Sequence, residues 1–146
     1  MSFYVTSETR EVEILMDELR ERAENPEDLL ERVGKTLQER AAHRFETGGE
    51  GDWPKLAQSS KDKKQRKGWN PEILVATGAL RDSYTIRGAG GSIFEISNGR
   101  LKFGSSLPYA SRHQFGDSRV PKRQVLVVDE ELELEIIRDA LEDFDF

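Results

Sequence analysis

The Asn98-Gly99 pair stands between two runs rich in β-branched and aromatic residues, 93–97 (IFEIS) and 101–104 (LKFG). Asn-Gly supplies the two positive-φ positions of a type I′ turn, so this spacing predicts a tight β-hairpin near the middle of the chain. A third run, 83–87 (SYTIR), precedes the hairpin across Gly88-Ala89-Gly90-Gly91 and extends the reading to an antiparallel meander. Residues 125–128 (VLVV) read as a further, buried strand. The chain ends are built on another period. From Ser7 to about Glu24 the apolar residues Val12, Leu15, Met16, Leu19 and Ala23 recur every three or four positions, as on one stripe of a helix. Asn25 can cap a second helix with Pro26 at its first position, running to about Phe45 with Leu30, Val33, Leu37, Ala41 and Phe45 inward, and Gly48-Gly49 closing it. The two helices form either a hairpin or one helix bent at Pro26. Asp129 can cap a last helix whose stripe is Leu134, Ile137, Leu141 and Phe144, with Ile136 and Ala140 alongside. The expected fold is α+β: one domain over residues 1–146, with an antiparallel sheet of about four strands packed against N-terminal and C-terminal helices.

Between the helices and the sheet lies a stretch without sustained periodicity, 48–72, which holds four Gly, two Pro and the basic run 61–67 (KDKKQRK). It reads as a long exposed loop with room for a short helix, pinned near its ends by Trp53 and Trp69 as anchoring hydrophobes. Residues 73–80 (ILVATGAL) read as a short apolar turn or helix interrupted at Thr77-Gly78, where a positive φ would let the chain turn. Residues 108–115 read as a helical turn closed by Gly116.

Charge is segregated along the chain. Residues 8–50 net −6, residues 51–128 net +8 and residues 129–146 net −8, within an overall −6. Opposite-sign patches of this kind favour complementarity with other protein surfaces or with further copies of the chain. The basic run offers phosphate contacts through Lys61, Lys63, Lys64, Arg66 and Lys67, but no aromatic residue is interleaved within it to stack on bases. Its simpler reading is a solvated loop or the polar face of a short helix. With no cysteine the chain has no disulfide, thiol nucleophile or thiolate metal site, and its two histidines, His43 and His113, lie far apart. No cofactor or metal is expected. No run approaches the roughly 20 apolar residues of a membrane span, and the N-terminus lacks the pattern of a secretion signal. Neither membrane insertion nor secretion is expected.

No phosphate-binding loop or nucleophile elbow is present. His113, beside Tyr109, Arg112 and Gln114, is the one candidate general base, and an unrecognised hydrolase centred on it is the sharpest catalytic reading. Without a nucleophile or an acidic orienter, a packed or interface histidine is the simpler one, and no catalytic residue is assigned.

Three blocks then stand out. They are Trp53-Pro54-x-Leu56 after a Gly-rich turn, Ile73-Leu74-x-x-Thr77-Gly78-x-Leu80-Arg81-x-Ser83, and Tyr109-Ala110-x-x-His113-Gln114-Phe115-Gly116 followed by Val120-Pro121-x-Arg123. In order and spacing this pattern resembles the virion-morphogenesis or tail-completion family of tailed bacteriophages and prophages, including Mu-like ones. It departs from the family at Pro121-Lys122-Arg123-Gln124-Val125-Leu126, where Pro-Ala-Arg-Pro-Phe-Leu is usual. The resemblance implies a non-enzymatic virion protein of the neck or upper tail, made in the host cytoplasm and acting in tail completion or head–tail joining. It further implies a homo-oligomeric ring, a hexamer, that touches neighbouring neck and tail proteins, with DNA able to pass through its lumen. Arg81, Arg112 and Arg123 would then be interface residues, with Tyr109, His113, Gln114 and Phe115 packing there. The alternative is a nucleic-acid-binding accessory protein using the 61–67 run.

Overall fold

A computed structural model describes residues 3–4 and 26–143. Their elements, in chain order, are β1 (Phe3–Tyr4), α1 (Pro26–Thr47), α2 (Gln58–Lys67), α3 (Ala79–Thr85), β2 (Ser92–Ser97), β3 (Arg100–Ser105), α4 (Ala110–Phe115) and α5 (Glu130–Asp143). The fold is α+β, with α1 as its spine. Glu27 and Asp28 in its first turn and Arg44 in its last complement the helix dipole. Leu30, Val33, Leu37, Ala41 and Phe45 are buried, as their spacing predicts, and Leu29 joins them. The helix expected over 7–24 lies outside the described residues.

The hairpin forms as Asn98-Gly99 requires. Both turn residues have positive φ, 50° and 69°, and β2 pairs antiparallel with β3 from Ser92 opposite Ser105 to Ser97 opposite Arg100. The two residues of β1 pair parallel to the other edge of β3, giving the order β1-β3-β2. The sheet lies close to α1 at Gly34. A Cβ built there would stand 2.2 Å from Cζ of Phe94, whose ring meets Phe103 edge-on and carries the Arg87 guanidinium 4.2 Å from its centroid.

Among the described residues the sheet has three strands and not four, because two of the expected ones are something else. Residues 83–87 overlap α3, in which Leu80, Ser83 and Tyr84 are the buried positions. That i, i+3, i+4 spacing is helical, and it outweighs the β-branched Thr85 and Ile86 that suggested a strand. Residues 125–128 run through the core without joining a ladder. Their polar backbone groups are met by a side chain: Gln114 Oε1 accepts from Val125 N (3.0 Å) and Leu126 N (3.1 Å), and Gln114 Nε2 donates to Leu126 O (2.7 Å).

The long segment 48–72 is not structureless either. Its basic run forms α2, which ends in a left-handed Gly68 (φ 66°) whose N–H returns to Gln65 O, with Trp69 N donating to Lys64 O at 2.9 Å. Trp53 is a buried anchor. Its Nε1 donates to Gln124 O (3.0 Å), and its ring meets Phe45 edge-on at 5.6 Å.

Asp129 caps α5 as expected, its Oδ1 accepting from Leu132 N at 2.9 Å. The inward stripe is shifted from the expected one. Leu132 and Ile136 are fully buried while Leu134 is 60% exposed, two positions and about 200° round the helix from Leu132. Arg40 reaches Asp129 (3.1 Å) and Glu135 (3.0 Å), Thr36 donates to Asp139 Oδ2 (2.7 Å) and Arg32 donates to Asp139 O (3.1 Å). Helix α5 therefore runs antiparallel to α1, with its C-terminal end toward the start of α1.

Candidate functional site

The three sequence blocks, separated by up to seventy positions, meet round one groove of about 450 Å³. Leu56 comes from the first block, Leu74, Thr77, Gly78 and Leu80 from the second, and Tyr109, His113 and Arg123 from the third. Ser60, Lys63 and Lys64 of α2, with Trp69 beyond its cap, complete the wall. The groove sits at the C-terminal end of α1, where Trp53 packs on Phe45 and Arg123 reaches Pro54.

Local chemistry holds each block in place. Gly78 takes φ 84° and starts α3, with Asp82 N donating to Gly78 O at 2.8 Å. Only glycine adopts that conformation without strain, so the turn expected at Thr77-Gly78 is real. Buried Ser83 donates Oγ to Leu80 O (2.6 Å) and lies 2.8 Å from Ser105 Oγ, which ties α3 to β3. Arg123 joins the first block to the third. Its Nε donates to Pro54 O (3.0 Å), its Nη2 to Lys55 O (3.3 Å) and its backbone N to His113 O (2.7 Å).

The groove is electropositive. No Asp or Glu lines it, whereas Lys63, Lys64 and Arg123 do. Lys64 and Arg123 are buried and hydrogen-bond to backbone carbonyls, Lys64 to that of Glu72. Burial pushes the Lys64 ammonium below its ordinary pKa, and nearby Arg123 adds to this, against a smaller opposing pull from Glu72. The same causes act on His113: burial first, then Arg123 and Arg112, lower its pKa against the opposing Asp117. These effects favour its neutral imidazole over the charged form. Its Nδ1 is buried without a hydrogen-bond partner among the described residues. A general base needs an oriented ring and a nucleophile within reach, and the groove offers no carboxylate to orient this one.

The residues expected at an interface separate into three environments. Tyr109, His113 and Arg123 line the groove. Gln114 is the buried clamp on Val125 and Leu126, and Phe115, 55% exposed, opens onto a second cleft of about 750 Å³ between α4 and the hairpin. Arg81 and Arg112 are surface residues already paired within the subunit, with Asp82 at 3.2 Å and Asp117 at 3.0 Å. The Asp117 carboxyl is held below its ordinary pKa by the Arg119 and Val120 N–H groups and by Arg112. Of the basic run, Lys61, Lys63, Arg66 and Lys67 are exposed while Lys64 is not. Sequence reasoning missed the burial of Lys64 and the position of Trp69, over which Lys67 and Lys63 stand at 4.6 and 5.8 Å from the ring centroid. The signal was the Gly68-Trp69 pair closing α2, which folds the indole back along the lysines.

No group of His, Cys, Asp and Glu among the described residues could hold a metal ion, and no described helix is long and apolar enough to cross a membrane. The family model described as the phage virion morphogenesis family matches residues 7–144, nearly the whole chain. No curated protein and no solved structure matches the chain significantly.

Proposed function

The chain belongs to the phage virion morphogenesis family, and we propose that within it the protein is a non-catalytic structural component that completes the tail or joins it to the head. In this reading it works at the neck or upper tail as a ring of identical subunits, with assembly in place of turnover. The observation that carries it is the separation of charge over the folded surface. Helix α5 carries Glu130, Glu131 and Glu133 in its first turn, the first two of them exposed, whereas the groove is lined by cations and no carboxylate. A rotational ring joins two different faces of each subunit, and opposite-sign faces suit such a contact. Gold labelling of the protein on intact virions tests the location. Label confined to the neck or upper tail is expected; label on the capsid shell or tail tip would reject the assignment.

One observation favours a second reading. Lys61, Lys63, Arg66 and Lys67 project from one exposed helix beside a half-buried Trp69, which is a surface able to meet a phosphate backbone. A DNA mobility shift by the purified protein that weakens steeply with salt would support this reading.

A further inference from the structure

We propose that the groove receives the acidic, aromatic C-terminal segment Glu142-Asp143-Phe144-Asp145-Phe146 of a second copy of this chain. The inference rests on the ring reading above and assigns its contact. The groove presents two kinds of surface. Trp69, Leu74 and Tyr109 offer apolar and aromatic wall, while Lys63, Lys64 and Arg123 place positive charge beside it with no lining carboxylate to neutralise it. A fitting ligand therefore has carboxylates interleaved with aromatic rings, the carboxylates meeting the cations and the rings entering the apolar part. Residues 142–146 are the one stretch of the sequence with that alternation, and they close the segment 129–146, which nets −8.

Geometry makes the occupant another subunit. Asp139 is held at Arg32 and Thr36, near the start of α1, while the groove lies where Arg44 and Phe45 meet Trp53 near its end. Twelve residues separate Arg32 from Arg44, which is about 18 Å along the helix, and α5 runs on beyond Asp139 in the direction away from the groove. Residues 144–146 span at most about 10 Å when fully extended. The segment cannot reach its own subunit's groove. A segment at one end of the molecule and its receptor at the other form a heterologous contact, which repeats from copy to copy and closes into a ring when the rotation allows.

The test places a photo-crosslinking phenylalanine analogue at Phe144 of the full chain and mixes nitrogen-14 and nitrogen-15 preparations before irradiation. Crosslinks between differently labelled copies that map to Trp69, Leu74 or Tyr109 are expected. Lys63→Glu, on an exposed groove residue with no fold-bearing hydrogen bond, should cut their yield about tenfold, the loss that a contact worth roughly 1.4 kcal/mol produces. Phe144→Ser with Phe146→Ser should raise the concentration for half-assembly by at least the same factor while leaving the melting temperature of the subunit in place. Crosslinks within one copy, or to another surface, would overturn the inference, as would full assembly of the Phe144→Ser, Phe146→Ser chain. In those cases a ring that still forms leaves the ring reading standing, whereas a wild-type chain that stays monomeric ends both. Duplex DNA that shifts with the wild type and not with Lys63→Glu, in the absence of groove crosslinks, would give the groove to nucleic acid.

Discussion

Replacing Gln114 with Met keeps the length of the side chain and removes its amide. Three backbone groups lose their partner: Val125 N at 3.0 Å, Leu126 N at 3.1 Å and Leu126 O at 2.7 Å. Val125 and Leu126 are 2% and 5% exposed, so water does not readily replace the amide. A buried backbone group left unsatisfied costs about 1–3 kcal/mol. Even at the lower end, the three together cost about 3 kcal/mol, a large part of the 5–15 kcal/mol that holds an ordinary domain folded. Gln114→Met should therefore lower the melting temperature by roughly 6–12 °C for a domain of this size. Gln114→Glu isolates the donor from the acceptor. It keeps an oxygen for the two N–H groups and sets a carboxylate against Leu126 O, so it should cost less than Met and recover stability as pH falls and the acid becomes an O–H donor. Urea or thermal unfolding followed by circular dichroism reads both variants. A loss below about 1 kcal/mol for Gln114→Met would mean instead that these backbone groups have other partners.

Three further outcomes follow from the same contacts. Gly34→Ala gains about 1 kcal/mol of helix propensity, but its methyl enters the Phe94 ring at 2.2 Å, so the variant should be about 1–2 kcal/mol less stable than wild type; pairing it with Phe94→Leu should recover part of the loss in a double-mutant cycle. The pKa of His113 is lowered by burial, so the unfolded chain takes up the proton first, and stability should be full above the ordinary imidazole range and decline as pH falls through about 6.5. Melting curves from about pH 7.5 to pH 5.5 should show that decline in wild type and less of it in His113→Gln. Arg123→Met removes the tether to Pro54 O and Lys55 O, so limited proteolysis should cut the 55–67 segment much faster than in wild type while the β2–β3 hairpin stays protected.

What the sequence made legible is what local chemistry decides. The Asn-Gly turn, the face of α1 and the Asp129 cap each follow from residues within one turn or one period of each other, and each is present. The errors lie where a distant partner decides. Residues 125–128 have the composition of a strand, yet Gln114, eleven positions earlier, takes the hydrogen bonds that a neighbouring strand would have taken. Leu134 shares a helix with Leu132 and Ile136, and only contact with α1 selects which of them faces inward. The candidate site was legible as three blocks, and their convergence on one groove was not. Arg123 looks like a surface cation in the sequence, and its tether to Pro54 and Lys55, which brings two blocks together, depends on carbonyls with no signature in residue type. Lys64 is hidden for the same reason, being one lysine of a basic run whose neighbours are solvated.

In the function proposed above, opposite-sign faces of this chain join copy to copy into a closed assembly. Sedimentation velocity of the purified chain, run over a range of protein concentrations at low and at high salt, addresses it most directly. A single discrete oligomer at low salt is expected, with the concentration for half-assembly rising as salt shortens the screening length from about 10 Å toward 3 Å. A chain that remains monomeric at every concentration in low salt, or an oligomer indifferent to salt, would contradict it.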